Sequence, residues 1–110
     1  MKLYLDTSAP TTILKLDDKT YEWESGRTLA RDLLKFIHEK LQENGKDWRD
    51  LTEIQFMTGP GSFTGLRIGA VVVNTLADDL KIPLYNHRSE KVDLILPEYG
   101  RPANITPPKK

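Results

Sequence analysis

The sequence predicts an α/β fold: a mixed sheet in the order βββαβαβ with its helices packed on one side. Three observations carry that prediction. Short β-rich runs fill the chain up to Ser25, apolar residues then recur every four positions from Leu29, and a second helical run lies between two further strands. A helix joining two strands makes a crossover between parallel neighbours, which adds parallel pairs to an antiparallel opening.

The elements follow in order. Lys2 to Asp6 is a short apolar-rich run that reads as a buried strand ending at Asp6-Thr7-Ser8. Thr11 to Asp17 carries β-branched residues, Asp17-Asp18-Lys19 is turn chemistry, and Thr20 to Ser25 alternates, with Tyr21 and Trp23 on one face and Glu22 and Glu24 on the other. Leu29, Leu33, Ile37 and Leu41, flanked by Ala30, Leu34 and Phe36, predict an amphipathic helix over 28–44 with a wide apolar stripe. Ser25 or Thr28 is its expected cap, and Asn44-Gly45 its stop. Glu53 to Thr58 is a fourth strand, residues 63–80 a second helix that is apolar nearly all round, and Ile82 to Asn86 a fifth strand. The character changes after Asn86, where prolines punctuate an extended end. We therefore divide the chain into a domain over 1–86 and an extension over 87–110. Leu94, Ile95, Leu96 and Tyr99 are expected to fold back over the domain.

Composition excludes several functions. Sixteen Lys plus Arg balance 16 Asp plus Glu in 110 residues, so no global field draws the chain onto nucleic acid or anionic lipid. With no cysteine, a thiolate metal site and a cysteine nucleophile are excluded, and with only His38 and His87 a multi-histidine metal centre is excluded unless carboxylates or a partner complete it. No membrane span and no signal-like apolar start is present, and a cytoplasmic location is expected.

Two segments have the residue types for chemistry. Gly59-Pro60-Gly61-Ser62-Phe63-Thr64-Gly65-Leu66-Arg67 is a strand-to-helix turn with three glycines. It reads either as a phosphate cradle at a helix N-terminus or as a tight turn whose glycines allow close packing. It lacks the lysine of a P-loop and the third glycine of a dinucleotide fingerprint. Asp6-Thr7-Ser8 at a strand end could hold a metal–phosphate group or form an Asx-turn. The small residues Gly65, Gly69, Val73 and Ala77 recur along the second helix. They admit a close neighbour, either within the chain or from another subunit.

Together, Asp6-Thr7-Ser8, the motif Gly59 to Gly69, Leu76-Ala77 and Ile82-Pro83-Leu84 resemble the TsaB family, also called YeaZ, across residues 1–86. Pro97 to Arg101 is similar to the end of many members. The resemblance implies an actin/Hsp70-like (ASKHA) N-terminal half. It implies a non-catalytic subunit that pairs through its two helices with a TsaD-like transferase, on which a TsaE-like ATPase docks. The product would be N6-threonylcarbamoyladenosine at position 37 of tRNA. In that reading ATP is used by partners, this chain needs no cofactor, and tRNA is reached only through the complex. Members are about twice this length, so the chain looks like a minimal single-domain form or one with an internal deletion. The residues expected to meet the partner are Leu29, Leu33, Ile37, Leu41, Gly65, Gly69, Val73 and Ala77. The alternatives are a nucleotide-binding or ATP-hydrolysing module using Asp6, Ser8 and 59–67, and a homodimer that buries the same helices.

Overall fold

The computed structural model describes residues 1–98. Strands β1 (Lys2–Asp6), β2 (Thr11–Leu16) and β3 (Lys19–Glu24) form the expected meander, followed by helix α1 (Leu29–Glu43), β4 (Glu53–Phe56), α2 (Phe63–Leu80) and β5 (Leu84–Tyr85). A two-residue strand that the sequence did not suggest, β6 (Lys91–Val92), pairs antiparallel with β5. It is too short to carry a periodic pattern; its turn is built by Asn86, whose Oδ1 accepts the amides of Arg88 and Glu90. The sheet runs β3-β2-β1-β4-β5-β6, antiparallel at both edges and parallel through β1-β4-β5.

Register puts seven large apolar strand residues on one face, with Ile13 of β2 on the other. Leu3 stands opposite Leu16 and Ile54, Leu5 opposite Leu14 and Phe56, and Ile54 opposite Leu84. All seven are buried, in one cluster with Leu29, Leu33, Ile37 and Leu41 of α1 and Leu66, Ala70 and Val73 of α2. Both helices thus cover that face. Each large side chain fully removed from water there contributes about 1.5–3 kcal/mol.

Local chemistry explains the helix limits. Neither Ser25 nor Thr28 caps α1 with its side chain. Ser25 Oγ bonds Thr12 Oγ1 in the buried β2 wall, and Thr28 Oγ1 donates to the Ser25 carbonyl. Asn44-Gly45 stops the helix as expected: Gly45 has φ +70°, its amide reaches the Gln42 carbonyl, and the Lys46 amide reaches that of Leu41. Ser62 caps α2, accepting the Gly65 amide at 3.2 Å. The helix ends at Lys81 in the left-handed region, φ +59°, a position where the sequence supplies no glycine.

Candidate functional site

The two segments singled out for chemistry come together, but as packing. Asp6 Oδ1 accepts the Ser8 amide at 2.9 Å and the Ser8 hydroxyl at 2.5 Å, which is the Asx-turn reading. The Ser62 amide donates to the Ser8 carbonyl at 2.7 Å, and Thr7 Oγ1 donates to the Gly65 carbonyl at 2.7 Å. The end of β1 therefore lies directly on the loop. A side chain at Gly61 would sit 2.6 Å from the Ser8 carbonyl oxygen, and one at Gly65 would collide with that of Thr7. Three amides of the kind an anion recruits, those of Ser62, Gly65 and Leu66, are already taken by the Ser8 carbonyl, Ser62 Oγ and the Ser62 carbonyl. The glycines and these three amides thus serve the packing of β1 against the start of α2, and a hollow of about 210 Å³ beside them is lined by Ala9, Pro10, Ser62, Thr64 and Ile68. Pro60, which follows a cis bond, and Thr64 are exposed, Leu66 is buried, and the Arg67 guanidinium lies 5.6 Å from the Phe63 ring centre.

The eight residues expected at a partner interface lie elsewhere than expected. Leu29, Leu33, Ile37, Leu41, Gly65, Gly69, Val73 and Ala77 all face the chain's own sheet, and none is more than 8% exposed where a value applies to its side chain. The physical reason is simple. A sheet face carrying seven large apolar residues needs the most regular apolar stripe of each helix as its cover. Gly69 shows it most clearly, since a Cβ there would approach Phe56 Cε1 to 2.6 Å and collide with Thr7 Oγ1.

What the helices leave outward is a second apolar surface. Leu34 is 50% exposed and Val71 65%, and a groove of about 750 Å³ runs between the helices, lined by Leu34, Trp48, Val71, Val72, Leu76 and Leu80. Lys35, His38, Thr75 and Asp79 give it polar margins. A smaller hollow beside Ala30, Arg67, Ile68 and Val71 continues it. At the other end, the His38 ring stacks on Trp48 at 5.4 Å and its Nε2 lies 3.2 Å from Asp47 Oδ1. Asp47 also accepts the Trp48 amide, and that bond, followed by His38, holds its carboxyl below the usual range. The sequence supplies Leu34 and Val71 as large apolar residues, but only the sheet beneath the helices separates them from the core stripes.

The end of the described chain is pinned by a residue the sequence reading passed over. Asn74 accepts the Ile95 amide at 2.7 Å and donates to its carbonyl at 3.2 Å, so its amide group imitates a strand neighbour. Ile95 is buried as expected. Leu94 and Leu96 instead point to solvent, 55% and 71% exposed, because an extended segment pinned at Ile95 turns its neighbours outward; Tyr99 lies outside the described residues. The Glu98 amide bonds the Thr58 carbonyl, and Thr58 Oγ1 contacts His87 Nδ1.

Comparison with known proteins decides the family. The model described as "TsaD: tRNA N6-adenosine threonylcarbamoyltransferase" matches residues 24–89, more than half of the chain. A Haemophilus influenzae tRNA threonylcarbamoyladenosine biosynthesis protein TsaB is 35% identical over 86 residues, covering 74% of this chain and 36% of that protein. The Bacillus subtilis TsaB is 42% identical over 48 residues, 44% of this chain and 21% of its own length. The solved structure of YeaZ from Pseudomonas aeruginosa superimposes with a TM-score of 0.68 at 32% identity, over 77% of this chain and 42% of that one. The chain belongs to the TsaB/YeaZ family. Its mixed sheet with helices on one face is the actin/Hsp70-like fold that membership implies. The chain matches well under half the length of each of these TsaB-family relatives. Among the described residues no helix is long and apolar enough to cross a membrane, and no group of His, Asp and Glu is arranged to hold a metal.

Proposed function

We propose that this chain acts in tRNA N6-threonylcarbamoyladenosine biosynthesis as a non-catalytic scaffold or activator, pairing with a TsaD-like catalytic subunit. The outer face of α1 and α2 is the pairing surface. One observation carries the reading: after both helices have closed the chain's own core, Leu34, Val71 and the groove between them remain exposed to solvent. In this reading ATP belongs to the partners, a TsaE-like ATPase joins the pair, and the modified adenosine is made at the partner's site. The contacts of Gly61, Gly65 and the Ser62 amide with Thr7 and Ser8 favour a packing role for residues 59–67 over the alternative of a nucleotide-hydrolysing module.

Mixing the chain with a TsaD-like protein and following association by sedimentation tests the pairing, with a tRNA modification assay run with and without the chain. Leu34→Glu and Val71→Glu should each weaken association at least about tenfold, since each buries an unpaired carboxylate. Absence of association, association that survives both changes, or modification indifferent to the chain would overturn the proposal. A homodimer that persists in the presence of the TsaD-like protein would favour self-association instead.

A further inference from the structure

The face of the sheet opposite the helices carries an ordered cross-strand row. Tyr4 on β1 stands opposite Lys15 on β2 and Gln55 on β4, and Tyr85 on β5 stands opposite Gln55 and Lys91 on β6. The row reads Lys15-Tyr4-Gln55-Tyr85-Lys91 across five adjacent strands. Neighbouring strands are about 4.8 Å apart, so the tyrosines stand about 10 Å apart with one lysine outboard of each. Both tyrosines are half-buried, while Lys15 and Lys91 are exposed. Lys15 Nζ lies 5.3 Å from the Tyr4 ring centre. Gln55 donates to the Asn86 carbonyl and to Ser89 Oγ, both at 3.1 Å, which fixes it between the rings.

We propose that this row is a platform for a single-stranded RNA segment, its bases stacking on Tyr4 and Tyr85 and its phosphates meeting Lys15 and Lys91. Aromatic rings on an open sheet, flanked by cations, offer every base a stacking surface without reading its edge. The rows on either side discriminate further. Glu22, Ile13 and Asp6 lie along one flank, and Lys2, 3.9 Å from Glu53, along the other. A duplex, with phosphates along both strands, would set some of them against these carboxylates, whereas a single strand following the row avoids them. A second copy of this chain fits less well, because a two-fold axis through Gln55 sets lysine against lysine. The proposal rests on the function above only in taking RNA as the relevant nucleic acid, and its face is opposite the helix groove.

The test uses the full chain and a fluorescently labelled single-stranded RNA of about eight nucleotides, read by anisotropy across a salt series. Two neutralised phosphates predict a slope of log K against log salt of about −1.4, and Lys15→Gln or Lys91→Gln should each reduce it by about 0.7. Tyr85→Leu and Tyr4→Leu should each weaken binding about tenfold. Circular dichroism melting checks that the variants fold, and Tyr85→Leu with the two lysine variants suffices if Tyr4→Leu does not. No binding, equal binding of a blunt duplex, or unchanged affinity in the folded variants would overturn the platform. So would a dimer that Tyr85→Leu dissociates. Leu34→Glu must leave RNA affinity intact, so failure of the helix pairing and failure of the platform are read separately.

Discussion

Helices α1 and α2 cover the same sheet face with opposite allocations of side-chain size. In α1 the large residues Leu29, Leu33, Ile37 and Leu41 point inward, and the outer face is polar apart from Ala30 and Leu34. In α2 the small residues Gly65, Gly69 and Ala77 are on the buried face, letting the helix lie against Thr7 and Phe56, while Val71 is left fully outward and Ile68, Val72 and Leu76 partly so. A stripe of small residues at four-residue spacing therefore marks close approach to the chain's own sheet. The docking surface proposed above lies where bulk has been left outside.

Two substitutions on α2, one helix face apart, break or confirm this contrast. Gly69→Leu must displace Phe56 and Thr7, and overpacking of a closed core costs about 1–3 kcal/mol or more. We expect a loss of at least about 3 kcal/mol by urea titration, with some of the protein insoluble. Val71→Glu, at a position 65% exposed, should leave stability within about 0.5 kcal/mol and act on partner affinity alone. A stable Gly69→Leu protein that fails to pair would show that the small-residue stripe faces a partner after all.

The same contrast shows what the sequence made legible. Period gave α1 and α2 nearly to the residue, because an amphipathic or wholly apolar stretch of 15 or 18 residues has no strand alternative. The meander was readable from the turn at Asp17-Asp18 and the alternation in β3. The direction in which each helix faces was not readable, since Leu33 and Leu34 are chemically equal and only the sheet beneath them separates buried from exposed. The loop at residues 59–67 was recognisable as a motif, but its filling by Ser8 depends on β1 lying beside β4, a long-range pairing that no local window contains. The tail followed the same rule: burial of Ile95 alone depends on Asn74, 21 residues earlier.

A middle-sized effect is expected at Asn74, the one polar residue of α2 that works inward across the sheet's edge. Asn74→Ala leaves the Ile95 amide and carbonyl without their side-chain partner next to a buried isoleucine. The cost should be about 1–3 kcal/mol, read as a shift in urea midpoint with an accompanying loss of hydrogen-exchange protection at Ile95. If protection at Ile95 is unchanged, the segment is held by packing rather than by the amide pair, and α2 contributes only apolar surface on that side.

The smallest effect sharpens the comparison at the α1 end of the groove, where Asp47 ties the turn before β4 to His38. Its carboxyl titrates below the ordinary value because the Trp48 amide, and then His38, favour the charged form. A depressed folded-state value means the charged carboxylate stabilises the fold at pH values above the ordinary carboxylate range, about 3.9 for aspartate. That contribution is lost as pH falls through the folded-state value. Asp47→Asn keeps an oxygen for the Trp48 amide but removes the charge. Wild type should therefore be slightly more stable than the variant at neutral pH, and the gap should close on acidification. Asp32 and Glu90, whose carboxyls are also lowered, are present in both proteins and cancel in the difference. Urea midpoints of the two proteins at neutral pH and at about pH 3 measure it. A gap that persists at the acid end would mean that Asp47 acts through the shape of its turn, and that the His38–Trp48 wall of the groove is held by stacking rather than by charge.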